Sequence, residues 1–147
     1  GVALPVRADY ARDASGRGPF HYCTINAVLA GHAIGAAVKR PIQDYVNAEL
    51  FKPLGIVDVK WGFSPSGEAM TGGGTELTTR DLAKLGRLIL DKGRWQNRQI
   101  LPETFIAEML TPYREGNGQS YGLLIWRHEI PTQCGSERFW YMGGNGG

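Results

Sequence analysis

Gly18-Pro19-Phe20-His21-Tyr22-Cys23-Thr24-Ile25-Asn26-Ala27-Val28-Leu29-Ala30-Gly31 passes from loop to helix around its midpoint. Gly18-Pro19 closes an opening segment rich in Arg, Asp, Gly and Ser, the composition of a loop. From about residue 23 to 38 the apolar positions Ile25, Val28, Leu29, Ala33 and Ala36 follow the helical period, which predicts a helix. Its Ala and Gly content permits tight contact. Residues 25–38 are too few to span a bilayer and include Asn26 and His32, so Gly31-x-x-x-Gly35 reads as close helix packing.

Working outward, Pro41 suits the first turn of a second helix with Ile42, Tyr45, Val46 and Leu50 on one face. Lys52-Pro53-Leu54-Gly55 stops it. Residues 57–77 read as loop and short extended pieces, anchored by Trp61 and Phe63, with Gly72-Gly73-Gly74 as a sharp turn. Thr78-x-x-Asp81 is a cap signal for a third helix that turns Leu82, Leu85, Leu88 and Ile89 inward, with Gly93 past its end. A fourth helix begins near Pro102 with Ile106, Met109 and Leu110 on one face. Residues 121–130 and 138–142 are rich in aromatic and branched residues and predict two strands joined by a short loop. Helices first and strands after indicate an α+β fold rather than a βαβ array.

A chain of 147 residues fits one domain, here with a helical region over about 20–112 and sheet strands over about 119–147. The net charge of +2 comes without a basic block or acidic tail, which argues against nucleic acid and anionic membrane as partners. No segment is long and apolar enough to cross a membrane. Cys23 and Cys134 lack metal-ligand spacing with His21, His32 and His128, so they read as buried thiols and no metal is expected.

Three local patterns touch on chemistry. Gly118-Gln119-Ser120-Tyr121-Gly122 fits the nucleophile-elbow pattern, which needs a strand before the serine and a helix after it. Loop residues precede Ser120 and a strand follows, so the context fails. Cys23 beside Tyr22 at a helix start has the position of an activated thiolate, but inward packing is the better reading. Neither glycine cluster has the strand–loop–helix order of a phosphate cradle. The one at 143–147 can point backbone N–H groups at an oxyanion.

The motifs taken together resemble the β-lactamase-related serine hydrolases, of class C β-lactamase, DD-peptidase and esterase type. Tyr22-Cys23-Thr24 resembles the family's second motif, Tyr-x-Asn or Tyr-x-Ser, opening a helix. Phe51-Lys52-Pro53-Leu54-Gly55 is similar to its Phe-x-Pro-Leu-Gly stretch, and Gly72-Gly73-Gly74-Thr75 with Leu77-Thr78-Thr79-Arg80-Asp81-Leu82-Ala83 continues the likeness. Tyr141-Met142-Gly143-Gly144-Asn145-Gly146-Gly147 stands where the family has Lys-Thr-Gly or His-x-Gly. The order holds along nearly the whole chain.

The resemblance implies a partial β-lactamase-like fold. It also implies a serine hydrolase that forms an acyl-serine on a small ester, amide or β-lactam, without cofactor and in the periplasm or outside the cell. Tyr22 matches the tyrosine that manages the serine's proton. Thr24, Tyr141, Gly143 and Gly144 match substrate-binding positions, the N–H of Gly144 being one oxyanion donor. Thr24 in place of Asn loses an amide's two donors. Tyr141 in place of Lys or His removes a positive charge, which favours ester or peptide-like substrates over β-lactams. None of Ser15, Ser64, Ser66, Ser120 and Ser136 has lysine three residues on. The Ser-x-x-Lys segment is therefore expected ahead of residue 1, and further strands and a closing helix beyond Gly147. Where such elements would pack, exposed apolar surface and self-association are expected. The alternative is a non-catalytic binding or structural remnant of the same fold.

Overall fold

The computed structural model describes residue 14, residues 22–116 and residues 119–142, with the side chains of 114–116 left aside. Its helices are α1 (Thr24–Val38), α2 (Ile42–Val46), α3 (Thr79–Leu90) and α4 (Glu103–Leu110). Its strands are β1 (Arg94–Trp95), β2 (Arg98–Gln99), β3 (Arg114–Gly116), β4 (Gln119–Tyr121), β5 (Trp126–Thr132) and β6 (Gly135–Tyr141). β1 and β2 form a small ribbon; β3-β4-β5-β6 form an antiparallel sheet in chain order. Helices precede the sheet, as the α+β reading requires.

The helical core is Phe51, Leu54, Ile56 and Leu88, surrounded by Val46, Leu50, Trp61, Leu77, Leu85 and Trp95. Trp61 is an anchor: its ring lies 6.1 Å from Phe51 and its indole N–H donates to Asn47 Oδ1 at 3.1 Å. Phe63 is not, standing half out in solvent. α2 ends at Val46, and a π-turn over Asn47–Phe51 and a 3₁₀ turn over Lys52–Leu54 carry the chain on. Pro53 explains this, because it has no N–H to return to the Glu49 carbonyl.

Thr78 caps α3 as its spacing predicts: its Oγ1 accepts from Asp81 N at 3.1 Å and donates to Asp81 Oδ2 at 2.7 Å. Lys84, hydrogen-bonded at 2.7 Å, and then Thr78 hold the Asp81 carboxyl below the usual range. Leu88 is the buried face of this helix, while Leu82 is exposed.

The apolar period of α1 does not mark its buried side. Ile25, Leu29 and Ile34 point to solvent, and Gly31 is the helix's one fully buried residue. The small-residue face goes inward because it lets the backbone of the 71–72 turn come close. A Cβ on Gly31 would overlap Thr71 Oγ1, and one on Gly72 would lie 2.6 Å from the Thr24 methyl. Thr71 Oγ1 fastens the contact by donating to Ala27 O at 2.9 Å.

The two strands also differ from expectation. The chain bends at 122–125, with Gly122 N donating to Ile125 O at 2.8 Å, so the 121–130 segment divides between β4 and β5. β6 begins earlier than 138, because Thr132 pairs with Gly135 across a tight turn at Gln133-Cys134. The sheet is held to α4 by Leu123 N donating to Met109 O at 3.1 Å and by the Trp140 indole N–H on Leu110 O at 3.4 Å. Among the described residues, no helix is long and apolar enough to cross a membrane.

Gly31→Ala is expected to cost about 1–3 kcal/mol by overpacking. Urea unfolding measures it. Thr71→Ala in the same chain should return part of the loss, since the Thr71 side chain is what the new methyl strikes. Thr78→Ala should cost about 1 kcal/mol through the lost cap.

Candidate functional site

In an antiparallel sheet, directly opposed residues point to the same face. Register sets Tyr121 opposite Trp126 and Gln119 opposite His128 between β4 and β5. Between β5 and β6 it sets Trp126 opposite Tyr141 and His128 opposite Phe139. These six side chains therefore share one face. Ser120, Arg127, Arg138 and Trp140, at the intervening positions, belong to the other.

The rings on the first face are in contact. Trp126 lies 4.6 Å from Tyr121 edge to face and 6.4 Å from Tyr141 in a near-parallel stack, by ring centroids. His128 stacks on Phe139 at 5.5 Å, and Phe139 lies 5.9 Å from Tyr141. The Tyr141 hydroxyl donates to Gln119 Oε1 at 3.2 Å, which fixes the end of that ring.

Tyr22 comes to this face from the start of α1. Its ring is 5.6 Å from Trp126 and 6.2 Å from Tyr121. Half of the Tyr22 side chain remains open to solvent (55% exposed), so its phenol is both held and reachable. The structure thus brings Tyr22 and Tyr141 to one cluster, with Trp126 between them. Thr24, on the first turn of α1, packs its methyl on Gly72. Gly143 and Gly144 lie outside the described residues.

Burial, and secondarily the charge of a Tyr22 phenolate, push the Tyr121 phenol above its ordinary value. Sequence reasoning missed Tyr121 and Trp126 as neighbours of Tyr22, and Gln119 as the partner of Tyr141. Their signal was the alternation of rings in β6, Phe139 and Tyr141, matched by His128 and Trp126 in β5.

The nucleophile-elbow context fails in the structure as it does in the sequence, and one expectation, that of buried thiols, falls. Ser120 sits inside β4, only 7% exposed, and its Oγ accepts from Arg127 Nη2 at 3.2 Å. A bend and another strand follow it, so no strand-to-helix turn raises its hydroxyl. Cys23 and Cys134 are exposed rather than buried, because one stands at the helix entry and the other in the β5–β6 turn.

A cleft of about 350 Å³ lies between α1, the start of α2 and residues 67–69. It shares no lining residue with the ring cluster, and its charges are engaged elsewhere. Arg40 contacts Glu49 at 3.4 Å, and Glu68 accepts from Ser66 and Ser64. Ring geometry, not cavity size, marks the candidate site. Among the described residues, no three His, Cys, Asp or Glu side chains gather as metal ligands.

The family model described as Beta-lactamase matches residues 7–147. The chain belongs to that family. The sequence has no match among curated proteins. Solved structures with the same fold include a penicillin-binding protein from Bacillus halodurans, at TM-score 0.61 and 20% identity over 74% of this chain. A candidate 6-aminohexanoate-dimer hydrolase from Bacillus anthracis gives TM-score 0.67 and 18% identity over 84%. A class C β-lactamase from Rhodobacter sphaeroides gives 0.60 and 15% over 90%. The chain spans 40%, 35% and 46% of those proteins, less than half of each. Identities this low speak for the β-lactamase fold alone.

The raised Tyr121 phenol has a testable sign. A folded-state value above the unfolded one, about 10 for tyrosine, leaves stability intact below pH 10 and removes it as pH rises through the folded value. Unfolding midpoints measured from pH 8 to 11 should fall at the alkaline end, and Tyr121→Phe should flatten that fall.

Proposed function

We propose that the protein carrying this chain is a serine hydrolase that cleaves an ester or amide through an acyl-serine, with Tyr22 handling the serine's proton. The observation that carries this reading is the convergence of Tyr22 with Tyr141. The residue matching the second motif and the residue at the third-motif position flank one indole, Trp126. Family membership and the hydrolase and β-lactamase names of two structural relatives support the reaction class.

In this reading a phenol beside the nucleophile takes its proton and returns it to the leaving group. Thr24 offers one hydroxyl to the substrate, and the N–H of Gly144 stabilises the oxyanion. Tyr141 brings no positive charge, which favours esters and peptide-like amides over β-lactams. None of the chain's five serines has lysine three residues on, so the nucleophile is assigned to a Ser-x-x-Lys segment of the full-length protein.

The 147-residue chain by itself should not hydrolyse p-nitrophenyl esters or nitrocefin above background. In the full-length protein, Tyr22→Phe should lower kcat by about 10²–10⁴-fold, the usual cost of losing one acid–base group, with circular dichroism unchanged. A fluorophosphonate probe should label a serine followed three residues on by lysine. Labelling at Ser120, or an enzyme indifferent to Tyr22→Phe, would overturn the assignment.

A further inference from the structure

One hydrogen bond on the ring face has a direction, and that direction bears on what the site can recognise. Gln119 stands on β4 and Tyr141 on β6, on one face with β5 between them. The Tyr141 hydroxyl reaches across that strand and donates to Gln119 Oε1 at 3.2 Å. Both residues are half-buried, so the bond is sheltered while the phenol keeps accessible surface.

A phenol carries a single proton and lone pairs on its oxygen. With the proton held by Gln119, the Tyr141 oxygen can only accept a further hydrogen bond, and donating its proton strengthens it as an acceptor. Trp126 and Phe139, at 6.4 Å and 5.9 Å between ring centroids, keep the Tyr141 ring from swinging out of the bond. The direction does not depend on charge: Arg114 of β3 stands opposite Tyr121, at the other edge of the described sheet. A hydroxyl free to turn pairs equally with an ester oxygen or an amide N–H. One whose proton is committed offers a lone pair to the N–H and meets the ester oxygen lone pair to lone pair.

We infer that Gln119 is a positioning residue that makes Tyr141 a hydrogen-bond acceptor, and that the preferred substrates carry an amide N–H on the acyl side of the scissile carbonyl. Tyr141 shortly precedes Gly144, the residue assigned to the scissile oxygen, so the group it meets lies next to that carbonyl. The inference rests on the hydrolase reading and on Tyr141 as a substrate-binding residue.

The test uses the full-length protein and a substrate pair that differs in one group. N-acetylglycine p-nitrophenyl ester and acetoxyacetic acid p-nitrophenyl ester share the cleaved bond and exchange an N–H for an oxygen. With each rate divided by that of hydroxide hydrolysis, the N–H ester should lead by roughly three- to tenfold in kcat/KM, the range of one neutral hydrogen bond. Tyr141→Phe should bring the pair to parity. Gln119→Met frees the phenol's proton and should lower the preference by roughly threefold or more. Gln119→Glu, which can only accept, should keep it. In the Tyr141→Phe protein, Gln119→Met should move the ratio no further, because Gln119 acts through that hydroxyl. A merely structural Gln119 would change both substrates alike.

An absent N–H preference, one that outlives Tyr141→Phe, or one lost in Gln119→Glu overturns the inference. If Gln119→Met does not fold, Tyr141→Phe and Gln119→Glu decide. For binding without turnover, calorimetry with N-acetylglycine anilide and acetoxyacetanilide should show the same order. That order in a protein whose serines no fluorophosphonate labels keeps the inference and removes the hydrolase reading. A labelled serine without N–H preference does the reverse.

Discussion

The backbone contact between α1 and the 71–72 turn is the constraint on which the candidate site depends. Gly31 and Gly72 leave out the side chains that would hold helix and turn apart, and Thr71 converts the proximity into a hydrogen bond on Ala27 O. That contact fixes where α1 begins, and Tyr22 is attached to its start. A helix that instead buried Ile25 and Leu29 would be rotated about its axis and would send Tyr22 elsewhere. The same choice leaves Ile25, Leu29 and Ile34 in solvent, so apolar exposure on α1 is the counterpart of a precisely held helix entry.

The sheet sets the second half of the arrangement by alternation. One face collects rings and an amide; the other collects Arg127, Arg138, Glu129 and Ser120. Because β4, β5 and β6 are paired in one register, a slip by one residue would exchange the two faces and turn the rings of β4, β5 and β6 away from Tyr22. The β5–β6 turn and the bend at 122–125 are the features that hold that register, and the links from that bend and from β6 to α4 tie the sheet to the helical part.

Much of the helical part was legible in the sequence. Thr78 and Asp81 announce α3 through chemistry that acts within a single turn, and Pro53 with Gly55 marks the end of the second helical segment. In α1 the glycine spacing announced close packing, while the apolar period did not show which side would be buried. Periodicity counts hydrophobicity, whereas close packing of glycine against a turn is a matter of shape that no residue scale carries. The burial of Cys23 and Cys134 was misread for a related reason, since a thiol's average preference says nothing about a helix entry or a hairpin tip. Tyr22 was singled out in the sequence through its motif. Its neighbours Tyr121 and Trp126 were not, because only strand register, fixed in three dimensions, decides which rings of a strand share a face.

The two halves of the ring cluster stand roughly a hundred residues apart in the chain, and the entropy of closing a loop grows only as the logarithm of its length. Ten residues added to an exposed loop between Tyr22 and Trp126 would raise the closure cost by about 0.1 kcal/mol. The interval between the motifs is therefore almost free to drift while the contact itself is kept. Sequences of this architecture can lengthen or shorten their surface loops at little thermodynamic cost, so order along the chain carries more information about the site than distance along it.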